Sequence, residues 1–225
     1  MSHLSELENR LSIKTIESLS NPTESIEDVY YIKYPYYTSL KNIPNLDTII
    51  SDLNFFIEHL GENTTISILS SPLFIAEFLS KLTNKAYIKL WVGVKLIKPV
   101  NTTKGQLPQH HAALAVITRY KEALKHAKTR IAYTFCPFCE KTTKDYGGKK
   151  HLYHEYGTIM SDVWRDIAID YKNDTLIIDR LRDIFGISPY KNLKCLDLTN
   201  KYLCTDCTID KNINIPVGEI ETFNY

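Results

Sequence analysis

No stretch of the 225-residue chain approaches the roughly 18 consecutive apolar residues that a membrane span requires. A signal-peptide core is missing as well. The N-terminal segment MSHLSELENRLSIKTIESL is polar, with helical periodicity. Together these absences lead to the expectation of an intracellular protein, cytoplasmic or nucleoid-associated, with no membrane partner. Overall charge bias is absent too: 27 Lys/Arg against 26 Asp/Glu leave a formal charge of +1. Net charge therefore selects neither nucleic acid nor an acidic surface as a partner. Glycine is sparse. The eight glycines are scattered and only Gly147 and Gly148 are adjacent, so no glycine-rich loop stands ready for close backbone approach to a cofactor. There is no internal repeat and no low-complexity segment.

What is present is enough apolar sequence, 44 %, to build one medium domain or two small ones. An amphipathic helix is expected over residues 4–19, with Leu4, Leu11, Ile13 and Ile16 as its apolar positions and Asn21-Pro22 as its end. Asp28 to Lys33 reads as a strand that ends at Tyr34-Pro35-Tyr36-Tyr37. Leu46, Ile49, Ile50, Leu53, Phe56, Ile57 and Leu60 recur at helical spacing, opened by Pro44-Asn45 and closed by Gly61. Thr65 to Leu69 is a short buried strand. Ser71 then caps a helix that has Pro72 at its first position and runs to about Leu82. From Tyr87 to Ile97 the pattern alternates, placing Ile88, Leu90, Val92, Val94 and Leu96 on one face and Lys89, Trp91 and Lys95 on the other. The strand Ala112 to Thr118 follows a polar loop and can pair simply with it only as an antiparallel hairpin. The order β-α-β-α-β favours parallel strands, and the last strand is reversed.

Several strings carry a resemblance. The turn Lys33-Tyr34-Pro35-Tyr36 ends the first strand. Leu90-Trp91-Val92-Gly93-Val94-Lys95 and His110-His111-Ala112-Ala113-Leu114-Ala115-Val116 lie in the late strands. Gly157-Thr158-Ile159-Met160-Ser161-Asp162-Val163-Trp164 comes after a Cys-rich basic segment. In this order the strings resemble the DNA amino-methyltransferases that modify adenine N6 or cytosine N4, in the circularly permuted subclass, over roughly residues 28–190. The resemblance implies an α/β fold: a partial, Rossmann-like class I methyltransferase sheet with a four-cysteine zinc-binding insertion or extension. It implies three regions: a helical segment 1–27, a methyltransferase-like core 28–130, and a basic, zinc-ribbon-like recognition region 131–225 that includes the Asp-Val-Trp segment. In that family the catalytic turn reads Asp/Asn/Ser-Pro-Pro-Tyr. Its first residue accepts hydrogen bonds from the target amine and its ring stacks on the flipped base. Pro35 and Tyr36 match the second half of that turn. Lys33 and Tyr34 do not match the first. The family's Phe-x-Gly-x-Gly cofactor loop is also missing: Leu193 to Leu198 could be the strand that precedes it, but Thr199-Asn200-Lys201 follows.

Five cysteines are present, four of them in two Cys-x-x-Cys pairs, Cys136/Cys139 and Cys204/Cys207. Each pair can present two thiolates to one tetrahedral zinc. The 64 residues between the pairs are a long insertion, tolerable because loop-closure cost grows slowly with length. His151 and His154 are alternative partners for Cys136 and Cys139. Neither pair clearly opens a helix after a first strand, as a redox pair would. Cys195 reads as a small core residue. Between Arg119 and His151 nine Lys/Arg face three Asp/Glu, which fits either a phosphate-contacting face or an ordinary solvated one. Lys141, Lys144, Lys149, Lys150 and His151 are the candidate nucleic-acid contacts, with Tyr146 among the rings that can stack on bases.

The combined expectation is a DNA methyltransferase-like protein of restriction-modification type. It would act as one subunit of a split enzyme or as a catalytically silent DNA-binding partner. S-adenosylmethionine is expected only with a second chain that carries the cofactor-binding half. A zinc-dependent DNA- or RNA-binding protein without enzymatic activity is the alternative, and an assembly protein braced by zinc is a third reading.

Overall fold

A computed structural model of the chain describes residues 28–100, 107–123, 129–146, 150–185 and 192–199. The helix expected over 4–19, together with Lys149, Cys204 and Cys207, lies outside the described residues. So do the side chains of Tyr146 and Lys150.

The centre is a six-stranded mixed sheet. Its strands are β1 (Asp28–Lys33), β2 (Thr65–Ser70), β3 (Tyr87–Val100), β4 (Gln109–Thr118), β9 (Val163–Ile169) and β10 (Asn192–Asp197), in the order β10-β1-β2-β4-β3-β9. β1 is parallel to both β2 and β10, and β9 is parallel to β3. The reversed strand β4 lies inside the sheet, antiparallel to both β2 and β3. The expected hairpin of β3 and β4 is therefore present, and β4 also zips onto β2. Two strands of the region 131–225, β9 and β10, are part of this sheet.

The period-two alternation of β1 divides the core into two layers. Tyr30 and Ile32 face α1 (Leu46–Glu58) and α2 (Pro72–Ser80). Val29 and Tyr31 face α3 (Thr175–Phe185), which buries Ile177, Leu181, Ile184 and Phe185. Leu196, Ile32, Ile68, Ala115 and Trp91 stand in one row across the sheet. The first four are buried, whereas Trp91 lies beyond the helices and is 52 % exposed. Ser71 caps α2 as expected, its hydroxyl accepting from the Phe74 amide at 3.3 Å, with Pro72 at the first helical position. Asn45 opens α1 from a left-handed conformation (φ 53°) and makes no side-chain cap. One expectation is corrected. β3 shifts register between Ile88 and Leu90, so Ile88 pairs with Ile117 and Leu90 with Val116, residues of opposite layers. Ile88 therefore leaves the face of Val92, Val94 and Leu96 and is 49 % exposed, because one extra residue inverts every side chain beyond it.

Between β4 and β9 the chain leaves the sheet. β5 (Arg130–Ile131) pairs with β8 (Thr158–Ile159) as a short stem, and β6 (Phe135–Cys136) pairs with β7 (Lys141–Thr142) as a hairpin above it. The Arg130 guanidinium donates to the Gly157 carbonyl at 3.0 Å and the Tyr133 hydroxyl to the His154 carbonyl at 3.0 Å. Gly157 has φ 110°, and a Cβ there would lie 1.9 Å from the Ile131 carbonyl oxygen, so the stem admits only glycine at this position. Among the described residues no helix is long and apolar enough to cross a membrane.

Candidate functional site

β1 and β10 are neighbouring parallel strands. The crossover that leaves β1 runs through α1 on one face, and the crossover that enters β10 runs through α3 on the other. Such a pair marks a topological switch point, and the crevice beyond the carboxyl ends of its strands is where open α/β sheets bind ligands. Lys33 to Tyr36 leave β1 at that crevice. The turn is held from both sides. The Leu198 amide donates to the Lys33 carbonyl at 2.8 Å, and the Tyr34 amide to the Leu69 carbonyl at 3.0 Å. The Tyr171 hydroxyl donates to the Tyr34 carbonyl at 2.6 Å, and the Ser70 hydroxyl to the Pro35 carbonyl at 2.9 Å. The carbonyls that could receive a target amine thus already accept one hydrogen bond each.

The Lys33 side chain is only 4 % exposed. Its ammonium lies 3.2 Å from Asp197 and 3.7 Å from Asp174, and 5.5 Å from the centre of the Tyr171 ring. A buried ammonium needs such partners, since desolvation without them is costly. Asp174 also accepts a short hydrogen bond from the Tyr31 hydroxyl. Burial, reinforced by the charge of Asp174, holds the Tyr31 phenol well above its ordinary range. Burial does the same for Tyr171, with Asp197 and Asp174 adding to it. The Tyr36 hydroxyl lies 2.8 Å from Gln109 Oε1 and 2.9 Å from the His111 carbonyl, and its ring meets Tyr171 edge-on at 5.4 Å. Burial pushes its phenol up to about 12. Tyr34 is buried against Phe74 and serves the core.

Asp174, Asp197, Tyr171 and Tyr31 were not singled out by sequence reasoning. The available signals were slight: Asp197 ends an apolar strand, and Asp174 stands just before α3. Of the two tryptophans in the quoted strings, Trp164 is a core residue and Trp91 is half exposed.

The second candidate site is the β6–β7 hairpin. Cys136 Sγ accepts from the Cys139 amide, interacts with the Cys139 side chain and accepts from the Phe138 amide, and these contacts hold the Cys136 thiol below its ordinary range. Glu140 turns the chain with φ 53°, uncommon for a residue with a Cβ. Neither Cys136 nor Cys139 forms a disulfide. Among the described residues no three His, Cys, Asp or Glu side chains gather as metal ligands. The alternative site of Cys136 and Cys139 with His151 or His154 is therefore not formed. Lys141 and His151 are exposed. Lys144 is half-buried, its ammonium 6.0 Å from the Tyr133 ring centre. Cys195, on β10, is half-buried against the α3 layer.

Over 94 residues, 42 % of this chain, the sequence is 28 % identical to the type II methyltransferase M.BamHI of Bacillus amyloliquefaciens. The chain has weak homology to a type II methyltransferase. The match spans 21 % of that protein's length, about a fifth. No protein-family model matches the chain. Two solved structures are similar in outline. The M1.HpyAVI–SAM complex aligns at TM-score 0.44 and 10 % identity, covering 87 % of this chain and 77 % of that one. M1.HpyAVI alone aligns at TM-score 0.40 and 12 % identity, covering 86 % and 73 %.

Proposed function

We propose that this chain is a DNA methyltransferase-like subunit that binds DNA and transfers no methyl group by itself. The observation that carries this reading is the Lys33 ammonium, buried between Asp174 and Asp197 in the switch-point crevice. An ammonium offers donors only and cannot accept a hydrogen bond from a target amine. The crevice does not fit S-adenosylmethionine on this chain alone. A cation already lies between its two carboxylates, and Thr199 follows β10 where close backbone approach calls for glycine. A partner chain would supply the cofactor-binding half.

DNA is held by the inserted segment, through Lys141, Lys144, Lys149, Lys150 and His151. Within the same reading Cys136, Cys139, Cys204 and Cys207 hold one zinc ion that braces it, with zinc–sulfur distances of about 2.3 Å. The hydrogen bonds onto Cys136 and the tight turn at Glu140 support this, because they bring two thiols to one side of a hairpin.

The test uses the purified chain with S-adenosylmethionine and mixed-sequence duplex DNA. Binding to DNA without methyl transfer is expected, and transfer by the isolated chain overturns the reading. Lys149→Glu with Lys150→Glu should weaken binding to all sequences alike and flatten the salt slope by about two, since each lost phosphate contact removes released counterions. Zinc analysis of the chain and of Cys136→Ser and Cys204→Ser decides the metal site; a full metal complement in both variants rejects it. The alternative, a zinc-dependent nucleic-acid-binding protein outside methyl transfer, predicts that no partner chain ever confers cofactor binding.

A further inference from the structure

We propose that the helix expected over residues 4–19 docks on the uncovered face of β3 and completes the layer begun by α1 and α2. The strand register shows where that layer stops. Tyr30, Ile66, Ile117 and Ile88 form one row across β1, β2, β4 and β3, and Ile32, Ile68, Ala115 and Trp91 form the next row on the same face. In each row the first three residues are buried, whereas Ile88 is 49 % and Trp91 52 % exposed. In a third row Ala113 is buried, nothing lies within 4 Å of where a Cβ on Gly93 would stand, and Val163 of β9 is 46 % exposed. The register shift after Ile88 is what brings Ile88 and Trp91 onto one face. A sheet face that simply met water would carry polar side chains in these rows. Ile88, Trp91 and Val163 instead leave an apolar strip beyond α2, which packs on β4. β3 and β9 together are about 10 Å across, the width of one helix.

Reach, length and charge select residues 4–19 as the occupant. Val29 pairs with Thr65, Thr65 with Thr118 and Thr118 with Tyr87, so β3 starts level with the start of β1 and three strands away. That is about 14 Å, and the eight residues 20–27 that lead into β1 span up to about 26 Å when extended. Sixteen helical residues are about 24 Å long, against about 23 Å of strand from Ile88 to Lys95. Leu4, Leu7 and Leu11 recur at helical spacing, with Ile16 and Leu19 beyond them. β3 carries Lys89, Lys95 and Lys98, and neither β3 nor β4 contains a carboxylate; Asp162, beside Val163, is the acidic residue flanking the strip. Residues 1–27 carry five Glu against Arg10 and Lys14. A helix antiparallel to β3 sets Glu6 and Glu8 toward Lys95 and Lys98, and Glu17 toward Lys89. A second copy seated on the strip would instead set these lysines against each other, a like-charge contact.

The experiment reads Trp91 in the full chain by acrylamide quenching. Trp164 is fully buried, so Trp91 carries the quenchable emission. Wild type should resist quenching at every protein concentration. Leu7→Glu with Leu11→Glu should shift the emission to longer wavelength and restore quenching, and Leu7→Met with Leu11→Met should keep Trp91 shielded. Wild-type Trp91 that is quenched as readily as a free indole, or shielding that survives Leu7→Glu with Leu11→Glu, overturns the docking. Shielding lost on dilution assigns the strip to a second copy and also overturns it. A second measurement holds even if the double glutamate variant does not fold. Gly93→p-benzoylphenylalanine places a photocrosslinker in the open space above β3. Irradiation should join it to a peptide from residues 4–19 of the same chain. A crosslink to another segment, a crosslinked dimer, or no crosslink rejects the proposal.

Discussion

In the sheet, Trp164 of β9 is fully buried in the layer that α3 covers, and Arg180 stacks 5.5 Å from its ring centre. In the inserted segment, Phe138 stands in solvent, and the backbone around it is held by amide–sulfur and amide–carbonyl hydrogen bonds. The two regions keep their shape by different means. The sheet removes apolar surface from water on both faces. The insertion buries very little and depends on a few hydrogen bonds and a glycine that no other residue can replace. Stability and exposure are thereby separated: the region that holds the fold is closed, and the insertion leaves charged and aromatic side chains in solvent.

That separation can be broken or sharpened by mutation. The largest effect is expected for Trp164→Ala, a loss of about 3–5 kcal/mol from the emptied volume, read as a lower urea midpoint. Trp164→Phe should cost less, because the indole N–H has no hydrogen-bond partner among the described residues. If Trp164→Ala leaves the midpoint within error, burial is not what holds the sheet. Next is Gly157→Ala. The added Cβ meets the Ile131 carbonyl, and strain of about 1–3 kcal/mol falls on the stem alone. Proteolysis within 129–160 should accelerate and DNA binding should drop, with the urea midpoint unchanged. A global loss of stability would show instead that the insertion and the sheet unfold together.

The smallest effect concerns pH. The Tyr36 phenol sits near 12 in the folded chain, against about 10 for an unfolded tyrosine. The folded state therefore retains this proton when the unfolded state has lost it. Its contribution is fully present below pH 10 and is lost as pH rises through about 12. Tyr36→Phe should flatten the alkaline decline of stability in that window relative to wild type. An identical decline in both proteins removes Tyr36 as a contributor.

Much of the sheet was legible because its signals are local. Asp28–Lys33 is a short apolar run ended by Tyr34-Pro35, Ser71-Pro72 caps and starts a helix, and the helical spacing from Leu46 onward is regular. The register shift at Ile88 was not legible, since it depends on which residue of β4 each residue of β3 meets. In the candidate site, the turn Lys33-Tyr34-Pro35-Tyr36 was legible as the end of a strand. The surroundings of Lys33 were not, because Asp174 and Asp197 reach it from distant parts of the chain.

β9 and α3 were not read from the sequence; by itself it determined the element types between Asp28 and Thr118, most of their limits, the reversed fourth strand and the mismatch of Lys33 with an acceptor role. These follow from periodicity, capping chemistry and side-chain donor inventory, which act within a few residues. Only the tertiary structure decided that β4 lies between β2 and β3, that β10 returns beside β1, and that two carboxylates and a tyrosine ring enclose the Lys33 ammonium. Strand order and the pairing of a buried charge depend on which distant segments close upon each other. That choice is made by the packing of both sheet faces at once, a property that no local window of sequence carries.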